Sequence, residues 1–169
     1  MRTIDNINDL NKSDFLSIFG NVFEKTESVA LETFELKPFK DFNDIILKML
    51  NIYEAYEKDK ILEILNSHPE LAVAKKLTSE SKSEQASAKL NECSNDEYEE
   101  FKKLNLEYKK KFNFPFIIAV KDKNKSEILN RFRQRILNDV EIEFLEAKKQ
   151  VKKIASFRLN EISSKWKNL

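Results

Sequence analysis

Glycine is nearly missing from this chain: one residue in 169, alongside three prolines, one cysteine and one histidine. Tight hairpins and phosphate-cradling loops depend on glycine, so β-sandwiches and nucleotide-binding α/β folds are both disfavoured. A lone cysteine, Cys93, excludes an internal disulfide and any cysteine-based zinc site and fits a reducing compartment. With His68 as the only imidazole, a transition-metal site would rest on carboxylates around it, so no metal is expected. Neither sign of charge dominates, with 30 basic residues against 29 acidic ones. A nucleic-acid binder needs a clear basic excess on one face, and runs such as Lys109-Lys110-Lys111 read as solvated helix faces. No apolar run approaches the ~20 residues of a membrane span. The start, Met1 to Asn6, lacks a signal-peptide apolar region, and Lys167-Asn168-Leu169 is not a peroxisomal Ser-Lys-Leu address. A cytoplasmic protein is expected, with neither nucleic acid nor membrane as partner.

What is present is a hydrophobic fraction of 41% beside 35% charged residues, the balance of a soluble globular chain. Its length suits one domain with a real core and is short for two. The apolar residues recur at helical spacing. Phe15, Leu16, Phe19, Val22 and Phe23 form a first stripe, capped by Ser13 or Asp14. A short piece covers Val29 to Leu36, before Lys37-Pro38. Asp41 opens a longer helix carrying Phe42, Ile45, Met49 and Tyr53, and another spans Lys60 to Asn66.

That helix must break near Ser67-His68-Pro69, because the residue before proline is pushed out of the α region. Pro69 then suits the first position of a new helical turn, which would place His68 at a helix N-terminus. Ser81-Lys82-Ser83-Glu84 and Ser94-Asn95-Asp96-Glu97 both fit the capping-box pattern. The second opens a helix with Phe101, Leu104, Asn105, Tyr108 and Phe112. Asn113 suits a left-handed cap, and Pro115 stops further helix. Ser126 caps a helix through Leu137, and Asn138 or Asp139 begins the last, which runs towards Trp166. The prediction is an all-α fold: a single compact domain, residues 1–169, of about seven to nine helices with one short extended apolar segment.

Four features could carry chemistry, and each also has a plain structural account. His68 can exchange protons near neutrality, since an imidazole titrates near ~6.5, yet it could be an ordinary loop residue. Glu84 could orient and charge that imidazole while Gln85 bonds a polar substrate, or Glu84 could simply complete a capping box. Arg158 lies on the stripe Val151, Ala155, Arg158 and Ile162, where an unpaired guanidinium would be costly. Its partner is either an internal carboxylate or a substrate carboxylate gripped in bidentate fashion. The apolar stretch from Phe114 to Val120 is either plain core or a backbone edge that asks for a partner, including an amide-rich ligand.

Taken in order, the motifs make a pattern. They are Phe19-Gly20-Asn21-Val22-Phe23-Glu24, His68-Pro69-Glu70-Leu71-Ala72, Leu77-Thr78-Ser79-Glu80-Ser81-Lys82-Ser83-Glu84-Gln85-Ala86, Leu104-Asn105 with Tyr108, Phe112 to Val120, and Ile154-Ala155-Ser156-Phe157-Arg158-Leu159. Over nearly its whole length the chain resembles the OHCU decarboxylase family, which acts on 2-oxo-4-hydroxy-4-carboxy-5-ureidoimidazoline in urate breakdown. The resemblance implies an all-α homodimer with no metal or organic cofactor. It puts the proton-donating histidine on His68 and the catalytic glutamate on Glu84. Contacts to the small ureidoimidazoline substrate fall on Pro69, Ser81, Gln85, Phe116, Ile117, Ile118, Ala119, Val120 and Arg158. Two departures stand out: Lys25-Thr26-Glu27-Ser28 replaces the family's usual His-Ser-Pro-Trp, and Asn113 replaces a usual glycine.

The implied reaction is a cofactor-independent decarboxylation giving (S)-allantoin. Charge left by departing CO₂ spreads into the substrate's own ring, and a fixed acid protonates one face. Two rivals are a non-catalytic helical interaction protein, in which Arg158→Ala would unfold the domain, and a related decarboxylase or hydrolase acting on another ureide.

Overall fold

Helices supply all the regular secondary structure among the described residues, which are 3–73 and 77–167 of a computed structural model. Residues 74–76 of the His68–Gln85 stretch, and the outermost residues Met1, Arg2, Asn168 and Leu169 that the readings of the two chain ends include, lie outside the described residues. The all-α class is thus observed, with nine helices among the described residues. None of them is long and apolar enough to cross a membrane.

Contacts group the chain into two compact units, Met1–Ser67 with Lys152–Leu169, and His68–Val151. In the first, helices α1 (Ile4–Asn8), α2 (Lys12–Phe19), α3 (Ser28–Phe34), α4 (Phe42–Ala55) and α5 (Lys58–Ser67) follow one another. Asp41 caps α4 as expected, its side chain accepting from Asp44 N–H at 2.8 Å. Helix α2 begins earlier than its apolar stripe, because Asn11 and not Ser13 or Asp14 is the cap, accepting from Asp14 N–H. The core is aromatic: Phe15 lies 4.6 Å from Phe19, and Phe23 stacks on Tyr53 at 4.8 Å. Rings of this size bury large apolar areas in few residues.

The second unit holds α6 (Ser79–Ser87), α7 (Asn95–Phe112), α8 (Lys125–Arg135) and the first part of α9 (Val140–Lys167). Ser94 and Glu97 form the capping box that opens α7, and Asn113 closes it in the left-handed conformation at φ 62°. Helix α8 starts at an Asn124–Glu127 box in place of Ser126. Tyr108 is the hub of this core, in edge contact with Phe114, Phe116 and Phe132. Phe116 stacks on Phe132 at 3.9 Å. Residues Phe114 to Val120 adopt no regular secondary structure and are all buried.

Candidate active site

Helix α5 ends at Ser67, and no helix starts at Pro69. The expected N-terminal setting for His68 is therefore corrected: it follows the carbonyl end of α5, the end that attracts cations. The reason is local, since Pro69 forces His68 out of helical geometry while Glu70 to Ala72 turn away irregularly. His68 is 9% exposed, and Pro69 and Glu70 are half-buried.

The loop after His68 is held by side chains from two helices. Gln85 Nε2 donates to the Glu70 carbonyl, and its Oε1 accepts from Ala72 N–H, both at 3.2 Å. Asn105 Nδ2 donates to the intervening Leu71 carbonyl at 2.9 Å. Ala72 itself sits at φ 53°, a left-handed conformation that disfavours an L-residue by about 1–2 kcal/mol. Such strain persists only where the surroundings over-determine it.

Thr78, not Ser81, caps α6 by accepting from Ser81 N–H at 3.3 Å. That shift of three residues removes the capping-box account of Glu84, which lies inside the helix and half-buried. Ser81 and Gln85, one turn apart, are both buried. Lys82, Gln85 and Ala86 open onto a cavity of about 680 Å³ that Leu90, Cys93 and Tyr98 also line. His68 and Glu84 are not among its lining residues, so its size alone does not make it the seat of proton transfer.

The apolar segment Phe114 to Val120 finds protein partners for part of its backbone. Arg135 Nη1 donates to the Ile117 carbonyl at 2.7 Å, Ala119 N–H donates to Gln150 Oε1 at 3.0 Å, and Val120 O accepts from Lys123 N–H. Arg135 is in turn paired with Glu143, which is fully buried and also accepts from Tyr108 and Asn138. Burial, and then the bond to Glu143, push the Tyr108 phenol far above its ordinary pKa, so it acts as a donor.

Arg158 belongs to the other unit. It is 5% exposed, as its stripe predicts, and its partner is an internal carboxylate: Nη2 meets Glu24 Oε2 at 2.9 Å, and Nη1 donates to the Asn21 carbonyl. Sequence reasoning gave no role to Glu24, Asn105, Arg135, Glu143 or Gln150. The first two carried a signal, Glu24 as the acidic residue closing an aromatic motif and Asn105 as a polar position on an apolar stripe.

The family model for OHCU decarboxylase matches residues 8–160. The chain is 36% identical to the 2-oxo-4-hydroxy-4-carboxy-5-ureidoimidazoline decarboxylase of Halalkalicoccus jeotgali, over 95% of this chain and 92% of that protein. It is also 36% identical to a uric acid degradation bifunctional protein of a Bacillus species (strain TB-90), over 99% of this chain but 34% of the relative. It thus spans about a third of that longer protein. Among solved structures, (S)-allantoin synthase superposes with a TM-score of 0.76 at 25% identity, covering 95% of this chain and 54% of that one.

Proposed function

The chain belongs to the OHCU decarboxylase family, and on that premise we propose that it decarboxylates 2-oxo-4-hydroxy-4-carboxy-5-ureidoimidazoline to (S)-allantoin in urate degradation. The carbon–carboxylate bond breaks, CO₂ leaves, and the electron pair stays in the ring, spread over its carbonyl and nitrogen. Protonation of the ring carbon from one face then fixes the configuration. His68 is the acid and Glu84 its carboxylate partner, which favours the charged imidazolium. The imidazole is reprotonated from solvent after each turnover.

The observation that carries this reading is the position of the chain's sole imidazole: buried, and on a loop fixed by two helices. Pro69, Ser81 and the Phe116–Val120 segment contact substrate, and Arg158 binds an anionic or polar part of it. Because Ile117 O and Ala119 N–H have protein partners, the apolar faces and the Ile118 peptide are the parts of that segment assigned to substrate. The protein acts as a cytoplasmic homodimer. Exposed Leu137, Ile142 and Leu145 supply apolar surface of the kind that marks interfaces.

The test follows optical activity while substrate is generated in situ from urate. Wild-type protein should accelerate formation of one enantiomer, and His68→Ala should lose about 10²-fold or more. Racemic allantoin at the spontaneous rate with wild-type protein would sink the enzyme assignment. Full activity in His68→Ala would move the acid elsewhere.

A further inference from the structure

We infer that Gln85 and Asn105 are positioning residues that brace the His68 loop from behind. The inference deepens the proposal that His68 is the acid and rests on it.

Three consecutive peptide groups are taken up by two side chains. The Glu70 carbonyl and Ala72 N–H go to Gln85, and the Leu71 carbonyl between them goes to Asn105. Both side chains are buried, at 7% and 4% exposure, and the bonds to Ala72 N–H and the Leu71 carbonyl are buried with them. A glutamine amide offers one carbonyl and one NH₂, and here both ends already face backbone. One N–H and one lone pair of that amide remain available, but turning or displacing it would break the bonds that keep Ala72 in its left-handed conformation. Asn105 cannot be turned round without loss, because only its NH₂ can meet the Leu71 carbonyl. Its Oδ1 stays buried with no hydrogen-bond partner among the described residues. That open acceptor is what the site accepts in exchange for a donor placed on Leu71. The braced peptides begin two residues after His68, so their position sets where the imidazole can point.

The test uses Gln85→Leu, Asn105→Leu, their double mutant, and the near-isosteric Gln85→Glu and Asn105→Asp. Because His68 is the only histidine, its ring signal in NMR reports the loop without any assay of activity. Each leucine variant should lower kcat by about 10- to 100-fold with KM little changed, and should reduce the enantiomeric excess. Each should also alter the titration of the single imidazole and speed exchange of the Ala72 amide proton. The double mutant should be much less than additive, since both side chains restrain one loop. Gln85→Glu, which keeps an acceptor for Ala72 N–H, should retain more activity than Gln85→Leu. Asn105→Asp, which sets an anion against the Leu71 carbonyl, should behave like Asn105→Leu.

A higher KM in Gln85→Leu, with kcat, enantiomeric excess and imidazole titration unchanged, would overturn the inference and make Gln85 a substrate reader. A lower melting temperature in Asn105→Leu, with every other measure unchanged per folded molecule, would overturn it for Asn105. Full activity in His68→Ala removes only the acid assignment. Faster Ala72 exchange and an altered imidazole titration in the leucine variants would then still support the brace.

Discussion

Arg135 and Arg158 look like the same device built twice, once in each unit. Each guanidinium is nearly buried, each meets a glutamate with no exposed surface, and each donates to a backbone carbonyl. They differ in what surrounds the carboxylate. Glu143 takes bonds from Arg135, Tyr108 and Asn138 and, through Arg135, fixes the Ile117 carbonyl of the buried apolar segment. Glu24 is bonded to Arg158 across 134 residues of chain, and the carbonyl to which Arg158 donates belongs to a half-exposed residue, Asn21. A buried arginine on an apolar stripe is therefore no pointer to a ligand in itself, because this fold satisfies two of them internally.

The largest effect should come from Glu143→Leu. It leaves a buried guanidinium unpaired and removes the acceptor of Tyr108, so urea unfolding should show a loss of about 3–5 kcal/mol. Adding Arg135→Met should recover only part of this, because the Ile117 carbonyl then lacks its donor, at about 1–3 kcal/mol. Glu24→Leu should cost a similar amount alone. Its double with Arg158→Met should come back close to wild-type stability, since an apolar pair often replaces a buried ion pair without loss. Equal recovery in both doubles would erase the distinction between the two sites.

The Glu24→Leu/Arg158→Met double also separates stability from chemistry. Unfolding by Arg158→Ala does not distinguish an enzyme from an interaction protein, because a buried ion pair with Glu24 is broken in either case. In the folded double mutant, a substrate role for Arg158 predicts binding weaker by about 2 kcal/mol or more in steady-state kinetics. Unchanged kcat and KM would confine Arg158 to its ion pair with Glu24.

What could be read from sequence was what is local. Asp41 as a cap, the Ser94–Glu97 box and left-handed Asn113 depend on neighbours within one helical turn, and all are present; the first apolar stripe holds only to Phe19, where α2 ends, and Val22 and Phe23 are buried in the turns that follow. The caps that slipped, to Asn11, Thr78 and Asn124, lie in stretches with several adjacent cap formers, where more than one side chain can take the role. Thr78 accepts from Ser81 N–H and starts α6 early enough that Ser81 and Gln85 lie inside it, both buried. Partners distant in sequence were beyond reach: nothing near Arg158 names Glu24. The roles of Gln85 and Asn105 were hidden more deeply, since the groups they hold are backbone amides and carbonyls, which every residue but proline carries alike.

An ion pair near the surface gives the counter-case to both buried ones. Lys125 Nζ meets Glu97 Oε2 at 2.7 Å. The hydrogen bond from Lys125, followed by that from Ser94 N–H, holds the Glu97 carboxyl below its ordinary value of 4.5. The bond to Glu97 likewise raises Lys125 above 10.5. A depressed carboxyl contributes stability that is complete above its unfolded value and is lost as pH falls through the folded one. A raised ammonium contributes stability below its unfolded value that is lost as pH rises through the folded one. The pair should therefore help between about pH 4.5 and 10.5, and less in high salt, where exposed charges are screened. Glu97→Gln, which keeps an acceptor for Ser94 N–H, should lower the urea midpoint slightly at pH 7 in low salt and by less at pH 3. A difference from wild type that persists unchanged at pH 3 and in 1 M salt would mean that this pair behaves like the buried ones.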